Sequence, residues 1–232
     1  CFPQGALGAT VAESAREIPV AAEVDVVVVG GTVGAVVAAV EAAKRDAKVL
    51  LIAPRNYLGE DLCATLYLWY EQGFWSDDKL TMSIFGKDQT TRPLWVKQKL
   101  EAALLENDVD FLLGCYPTDV LVGADGQPAG IVMANRAGRQ AVIAKVIIDA
   151  THTGAVAQMA GARTAPRAAE AFDCRRVVLG GEPTSSVAPT RSIPAGLELN
   201  GQELSYHEYS LKLDLGEGTF GELAEAEQKA RD

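Results

Sequence analysis

Residues 24–52 constrain this 232-residue chain more than any other stretch, because they specify a strand, a glycine turn, a helix and a second strand by themselves. Residues 24–29 are an almost unbroken β-branched run, which is typical of a strand covered on both faces in a parallel sheet. A glycine pair then permits a tight turn, residues 33–45 carry alanine and valine along a helix, and residues 48–52 form the next strand. In such a unit the turn amides and the positive end of the helix face one point. The stretch therefore predicts a site for a dinucleotide pyrophosphate.

The glycine turn departs from the usual dinucleotide fingerprint, G-x-G-x-x-G with an acidic residue for the ribose about 20 residues later. Its six positions are Gly30, Gly31, Thr32, Val33, Gly34 and Ala35. Threonine replaces the middle glycine, although its hydroxyl can donate a hydrogen bond to a phosphate oxygen. The ribose acid is absent, because the second strand ends in Ala53 followed by Pro54 and Arg55. These residues alone also permit a plain βαβ unit that binds no nucleotide.

Charge and cysteine content exclude several classes of partner. The net charge of −10, from 31 acidic and 21 basic residues, disfavours nucleic acid or an anionic membrane as a partner. The four cysteines are scattered without a C-x-x-C pair, and the two histidines are far apart, so we predict no metal site. No apolar run reaches the ~20 residues of a membrane span. The first residue, Cys1, leaves two locations open: a cytoplasmic protein, or an exported and processed one.

The order of the remaining patterns predicts a dinucleotide-binding domain at 23–167, preceded by an arm at 1–22 and followed at 168–232 by the start of a β-rich domain. Aromatic residues crowd 62–75, where they line either a pocket for a flat ligand or, as their apolar area favours, the core. The further elements predicted are a helix at 91–107, a strand at 110–116, a meander of short strands at 119–121, 130–135 and 140–144, a strand at 144–149, strands at 176–179, 197–199 and 207–215, and a final helix at 219–231 capped by Thr219.

Three segments of the chain carry a resemblance to a known family. They are residues 24–60, residues 130–151 ending in D-A-T, and residues 151–162, which read THTGAVAQMAGA. The combination resembles the FAD-dependent oxidoreductases with two dinucleotide-binding domains, in particular the bacterial FAD dependent oxidoreductase group. The resemblance implies an α/β fold, with a Rossmann-like FAD-binding domain made of a parallel sheet and a β-meander, and the start of a β-rich substrate domain.

The resemblance also implies which residues hold FAD. The turn would bind the pyrophosphate, the residues after the second strand would lie beside the adenosine ribose, and Leu58 and Gly59 would run along the flavin half. The meander and the D-A-T segment would approach the adenine. The implied residues are Gly30, Gly31, Thr32, Val33, Gly34, Pro54, Arg55, Leu58, Gly59, Asp119, Val120, Ala150 and Thr151. His152 stands where relatives have glycine. Because relatives are about twice as long, the resemblance also implies that a second polypeptide or further chain completes the flavin site.

Few residues suggest catalytic chemistry, since a flavin carries the electron transfer itself. Cys63 lies in the region where related disulfide reductases place redox cysteines, but an ordinary half-buried thiol is the simpler interpretation. His152 could act as a base or stack near the adenine, and His207 could face a substrate or solvent. Glu60 and Asp61 are better explained as residues that cap a helix start.

The sequence therefore predicts an FAD-dependent oxidoreductase that transfers hydride or electrons between the flavin and a small organic substrate. A structural or assembly subunit that retains a Rossmann-like core without its cofactor is the alternative that Thr32 and the missing acid suggest. An NAD-binding dehydrogenase is disfavoured, because the free ribose hydroxyl of NAD would need the missing carboxylate.

Overall fold

The computed structural model describes residues 14–71, 73, 78–86, 89–163, 172–183, 188–213 and 220–231. The chain divides into two compact units, one over Ser14–Thr164 and one that contains the described residues from 172 onward. The predicted boundary between residues 167 and 168 falls outside the described residues.

A six-stranded sheet forms the centre of the first unit, with strand order β3-β2-β1-β6-β5-β4. Strands β3, β2, β1 and β6 are parallel to one another, whereas β5 and β4 continue the sheet in antiparallel pairing. The strands are β1 Val20–Val29, β2 Val49–Ala53, β3 Asp110–Leu113, β4 Tyr116–Val122, β5 Pro128–Asn135 and β6 Gly138–Asp149. This arrangement confirms the predicted α/β class with a Rossmann-like parallel sheet and a β-meander.

Five helices of the first unit lie in its described part. They are α1 Val33–Ala43, α2 Glu60–Cys63, α3 Lys79–Ile84, α4 Pro93–Glu106 and α5 Ala155–Met159. Helix α4 begins with Pro93 in its first turn, where the missing N–H of proline costs no hydrogen bond. None of the helices in the described residues has the length and apolarity needed to cross a membrane.

Strand β1 and helix α1 form the predicted central unit. The Val27, Val28 and Val29 side chains are completely buried, as expected of a strand covered on both faces. The small side chains of Ala35 and Ala39 are also completely buried, which lets α1 approach the sheet closely. The strand begins at Val20, so the last residues assigned to the amino-terminal arm belong to the sheet instead.

Strand β6 corrects the prediction of two short strands at 140–144 and 144–149. It is a single strand of 12 residues. Its first half pairs with β5, from Gly138 to Ile143, while residues from Ala141 to Asp149 pair with β1. One strand therefore belongs to both the meander and the parallel sheet, and it needs no break between the two.

The segment at 110–116, predicted as one strand, is two strands separated by a turn. Gly114 has a φ of +67°, a conformation that favours glycine, and it ends β3 before the chain enters β4. Cys115 in this turn is buried within the core on one face of the sheet. The turn thus separates a parallel strand from the first strand of the meander.

The aromatic residues of segment 62–75 include core residues, which confirms the interpretation favoured from their apolar area. Tyr67 and Trp69 are buried, and their ring centroids lie 4.3 Å apart. Tyr70 packs edge-on against Phe85 at 5.6 Å. Residues 74 and 75 of the same run lie outside the described residues.

The second unit contains a three-stranded antiparallel sheet with order β7-β9-β8. Its described elements are β7 Phe172–Leu179, β8 Arg191–Leu199, β9 Gln202–Leu213 and helix α6 Phe220–Lys229. Glu208 of β9 is buried between Arg175 at 3.6 Å and Arg191 at 3.8 Å. These elements agree with the predicted β-rich region, and Thr219, the predicted cap of the last helix, lies outside the described residues.

Candidate functional site

The carboxyl ends of three parallel strands meet at one edge of the large sheet. Val29 of β1 is in register with Ile52 of β2 and with Asp149 of β6. The Gly30 amide donates to the Ile52 carbonyl at 2.9 Å, and the Ala150 amide donates to the Val29 carbonyl at 2.9 Å. Ligands of parallel α/β sheets bind at this type of edge. The glycine turn therefore lies where the fold places a nucleotide.

The two glycines of the turn pass close to the neighbouring strand ends, and the backbone requires glycine at Gly30. Gly30 has a φ of +145°, and a Cβ atom added to it would lie 2.3 Å from the Ala150 carbonyl oxygen. A Cβ atom on Gly31 would lie 3.1 Å from the Cβ atom of Ala53. A side chain is excluded at Gly30, whereas one at Gly31 would require Ala53 to shift by a few tenths of an ångström.

Two side chains bind the amides at the start of α1. Thr32 is the N-cap residue, and its hydroxyl oxygen accepts a hydrogen bond from the Ala35 amide at 3.1 Å. The Val33 amide donates to both carboxylate oxygens of Asp61, each at 3.1 Å. These amides have no partner within the helix, and they are the groups that bind phosphate in related folds. Asp61 was predicted to cap the start of a helix. It binds the first amide of α1, that of Val33, which lies 28 residues earlier in the sequence.

Glu60 lies beside Asp61 and is buried over the glycine turn. Its carboxylate is 3.6 Å from the Nε atom of Arg55, which follows β2, and 3.4 Å from the Nε2 atom of His152, which follows β6. A Cβ atom on Gly31 would lie 3.8 Å from the Glu60 carboxylate carbon. One carboxylate therefore links the segments that follow β2 and β6.

Burial raises the pKa of two side chains of α2. It raises the pKa of Asp61, although the hydrogen bond from Val33 and the nearby His152 act in the opposite direction. It also raises the pKa of the Cys63 thiol to about 11, while Lys97 partly opposes this shift. The Cys63 thiol donates to the Pro93 carbonyl at 3.6 Å. Cys63 is thus a protonated, packed thiol in this structure, with none of the activation expected of a redox cysteine.

Asp149 organises the D-A-T segment after β6. Its Oδ1 atom accepts bonds from the Thr151 amide at 3.0 Å and the Thr151 hydroxyl at 2.7 Å, and its Oδ2 atom accepts the Ala157 amide at 2.8 Å. The Thr151 hydroxyl in turn accepts the Ala155 amide at 2.8 Å. Burial by itself would raise the pKa of Asp149, but these hydrogen bonds outweigh it and hold the pKa below its usual value.

The predicted residues of the flavin half have packing roles. Leu58 is completely buried. Gly59 has a φ of +76°, and an added Cβ atom would lie 2.5 Å from Val96 and 3.0 Å from Leu100 of α4. The Gly59 amide donates to the Gly31 carbonyl at 2.7 Å. This glycine therefore joins the glycine turn to α4.

The remaining predicted residues lie in different places. Val120 of β4 is buried in a core cluster that also contains Val29 and Ile52, whereas its neighbour Asp119 is exposed. Gly34 is exposed in the first turn of α1, and Pro54 is half-buried after β2. His207, expected to face a substrate or solvent, is buried in the second unit, where its Nδ1 atom lies 2.9 Å from the Ser192 hydroxyl.

Sequence reasoning missed two contributions to this edge. It noted that β6 ends in an acid, but the local pattern gave no reason to expect that Asp149 binds the amide of Ala157 eight residues later. It treated Glu60 and Asp61 as a local cap, because capping signals relate residues three or four positions apart. Two adjacent carboxylates in a short segment after a glycine were the only available signal.

No other part of the first unit offers a comparable arrangement among the described residues. An open groove of about 550 Å³ lies at the opposite edge, beside the start of β1, where Asp25 pairs with Lys145 at 2.6 Å. It is far along the strands from the glycine turn. No group of three or more histidine, cysteine, aspartate or glutamate residues in the described ranges could hold a metal ion.

Solved structures of other proteins are similar to this chain. The structure of a geranylgeranyl bacteriochlorophyll reductase-like protein from Thermoplasma acidophilum is similar over 81% of this chain and 57% of that protein, with a TM-score of 0.52 and 19% identity. Thermovibrio ammonificans THI4 is similar over 59% of this chain and 61% of that protein, with a TM-score of 0.47 and 19% identity. The chain thus spans about six-tenths of the length of these two proteins. No curated protein matches the sequence.

A family comparison identifies the chain more directly than these distant structures do. The sequence model of the family described as FAD dependent oxidoreductase matches residues 25–172. The match extends from the first strand, through the glycine turn and the meander, to the start of the second unit. This chain therefore belongs to the FAD dependent oxidoreductase family, and its cofactor is FAD.

Proposed function

We propose that this protein is an oxidoreductase that transfers hydride or electrons between FAD and a small organic substrate. The observation that carries this proposal is the edge at which β1, β2 and β6 end in register, because it combines the glycine turn with the start of α1. The family match supplies the identity of the cofactor. The substrate class and the direction of transfer are parts of the proposal.

The backbone at this edge fits a dinucleotide. Gly30 and Gly31 leave no side chain between the strand ends, and the first turn of α1, whose amides are the usual donors to a phosphate, begins at the same edge. Pro54 and Arg55 follow β2 where an adenosine ribose would lie, and Ala150 and Thr151 border the same edge after β6. One element opposes the fit: the Asp61 carboxylate binds the Val33 amide, the position expected for a phosphate oxygen.

Bound FAD would supply the electron transfer, so the chain's own residues need only bind, orient and exclude water. Glu60 would orient the segments after β2 and β6 through Arg55 and His152. His152 is exposed and remains our candidate for holding a proton near this edge. His207 is buried in the β-rich unit, so we assign it no contact with a substrate.

We further propose that polypeptide beyond residues 1–232 completes the flavin end of the site, either as a continuation of the chain or as a partner. The basis is the fraction of related structures that this chain covers, 57% and 61% in the two described above. Leu58 and Gly59, the predicted neighbours of the flavin, have no surface to offer because both are buried. Other groups must then contact the flavin ring.

A non-catalytic subunit is the second candidate function, and Asp61 is the observation that favours it. A carboxylate on the first free amide of α1, together with Ala53 in place of a ribose acid, is what a sheet that had lost its nucleotide would show. This candidate predicts a folded protein that binds neither FAD nor NAD.

Absorption spectroscopy of the protein expressed from its complete reading frame tests the proposal. We expect flavin bands at about 370 and 450 nm that bleach on reduction. Titration with FAD and with NAD then separates the candidates. Tight binding of NAD without FAD would favour a nicotinamide enzyme, and binding of neither would favour the non-catalytic subunit.

A further inference from the structure

At the first turn of α1, a carboxylate of the chain itself binds where a phosphate of the dinucleotide is expected. The amides that begin a helix lack partners within it, and together with the helix dipole they favour a negative group. In this chain the Val33 amide is shared between the two carboxylate oxygens of Asp61, both at 3.1 Å. A phosphate oxygen of a dinucleotide and the Asp61 carboxylate would need the same donor.

The Asp61 carboxylate is held there by a short and well-anchored segment. Helix α2 has only four residues, and the amides of Cys63 and Ala64 donate back to Gly59 and Glu60 at 2.8 and 3.0 Å. Gly59 is tied to the Gly31 carbonyl and packs against α4. Asp61 belongs to neither β1 nor α1, so displacing its carboxylate from the Val33 amide breaks no hydrogen bond within either element.

The charges around Asp61 do not favour a second anion beside it. Glu60, the adjacent residue, is buried at the same edge, and the two side chains paired with it, Arg55 and His152, are both exposed. Lys97 of α4 lies close enough to affect Cys63. Burial raises the pKa of Asp61 despite its bonds, so the carboxylate is poorly compensated where it sits. A dinucleotide entering this edge would add negative charge next to two carboxylates.

We propose that the Asp61 carboxylate competes with a phosphate of FAD for the Val33 amide. Binding of the cofactor would then displace Asp61 from the start of α1. The inference rests on the assignment of FAD as the cofactor. It makes α2 an autoinhibitory contact of the cofactor site. It also explains how the same carboxylate can stabilise α1 and weaken FAD binding.

Two substitutions separate these effects. Asp61→Asn keeps the shape of the side chain and one acceptor oxygen but removes the charge. Asp61→Ala removes the acceptor oxygens as well as the charge. In the flavin-stripped protein from the complete reading frame, we expect Asp61→Ala to unfold at a lower temperature, because it loses the bond to α1. Both variants should nevertheless bind FAD more tightly, by about tenfold or more, as measured by quenching of flavin fluorescence.

Asp25 provides a matched control. Its carboxylate also accepts a backbone amide, that of Lys48 at 2.8 Å, but it lies at the opposite edge of the sheet. Asp25→Asn should leave FAD affinity unchanged. A merely structural role for Asp61 would instead lower both stability and FAD affinity in the Asp61 variants.

The possible outcomes distinguish this inference from the cofactor assignment. If the wild-type protein binds FAD and the Asp61 variants bind it equally or more weakly, Asp61 is not a competitor and the inference fails while the assignment stands. If neither the wild type nor any variant binds FAD, the proposed function fails and the inference fails with it. Tighter binding by Asp61→Asn alone, with Asp61→Ala unfolded, would still support it.

Discussion

Replacement of Asp149 offers a direct measure of how the edge of the sheet is held together. Its carboxylate accepts three hydrogen bonds, from the amide and hydroxyl of Thr151 and from the Ala157 amide, at 2.7–3.0 Å. These bonds fix the end of β6 to the start of α5. At about 1 kcal/mol each, Asp149→Ala should lower the free energy of unfolding by about 3 kcal/mol.

Thermal unfolding followed by circular dichroism gives the test. In a unit of about 150 residues this loss corresponds to a decrease of roughly 6–12 °C in Tm. Asp149→Asn retains one oxygen and should lose about half as much. Replacement of exposed Asp110 by alanine is the control and should shift Tm by less than about 2 °C.

The pH dependence of the same variants adds a second test. The folded-state pKa of Asp149 lies below its usual value of 3.8. The stability that this carboxylate contributes is therefore fully present above that value and is lost as the pH falls through the lower folded-state pKa. The difference between wild type and Asp149→Asn should be constant near neutral pH and shrink below about pH 4. An Asp149→Ala protein that unfolds at the wild-type temperature would refute the reasoning.

Three further predictions concern other parts of the chain. Gly30→Ala should destabilise the first unit by more than about 3 kcal/mol, because the added Cβ atom would lie 2.3 Å from the Ala150 carbonyl oxygen. Gly34→Ala is the matched control: Gly34 is exposed within α1, so this change should be neutral or stabilise the unit by about 0.5–1 kcal/mol. Urea titration measures the free energy of unfolding of both variants. Cys63 should react slowly with a disulfide reagent at pH 8, because a pKa of about 11 leaves roughly one thiol in a thousand ionised. If the wild-type protein shows a fast phase of labelling that the Cys63→Ser variant lacks, Cys63 is reactive and this prediction is wrong. Glu208→Gln should lower the free energy of unfolding by about 1 kcal/mol, a modest value because the two arginine side chains beside Glu208 are 40% and 42% exposed. If the variant has the Tm of the wild type in both low and high salt, these ion pairs contribute nothing to stability.

The sequence predicted the elements whose signals are local. The β-branched run of β1 and the alanine-rich α1 each specify their own structure, and helix α4 was recognised from its apolar spacing and from Pro93. The resemblance of residues 24–60, 130–151 and 151–162 to a known family then indicated FAD. Element ends shifted by a few residues, as at Val20, because pairing with β6 extends the strand beyond its apolar run.

The features that the sequence did not predict depend on distant contacts. Nothing in residues 138–149 indicates that one strand pairs with β5 first and β1 afterwards. The bond from Val33 to Asp61 joins residues 28 positions apart, which the packing of Gly59 on α4 and its hydrogen bond to Gly31 bring together. The prediction that Leu58 borders a cofactor came from the resemblance, which cannot show that this side chain is completely buried.

The pairing of β1 with β6 also affects how the protein is made. Val29 pairs with Asp149, a residue 120 positions later, and no earlier strand can take the place of β6 along that side of β1. At a synthesis rate of about 5–20 residues per second, the ribosome needs roughly 6–24 s to add the residues between them. During that interval one side of a strongly apolar strand has no partner strand, which exposes the emerging chain to misfolding and aggregation.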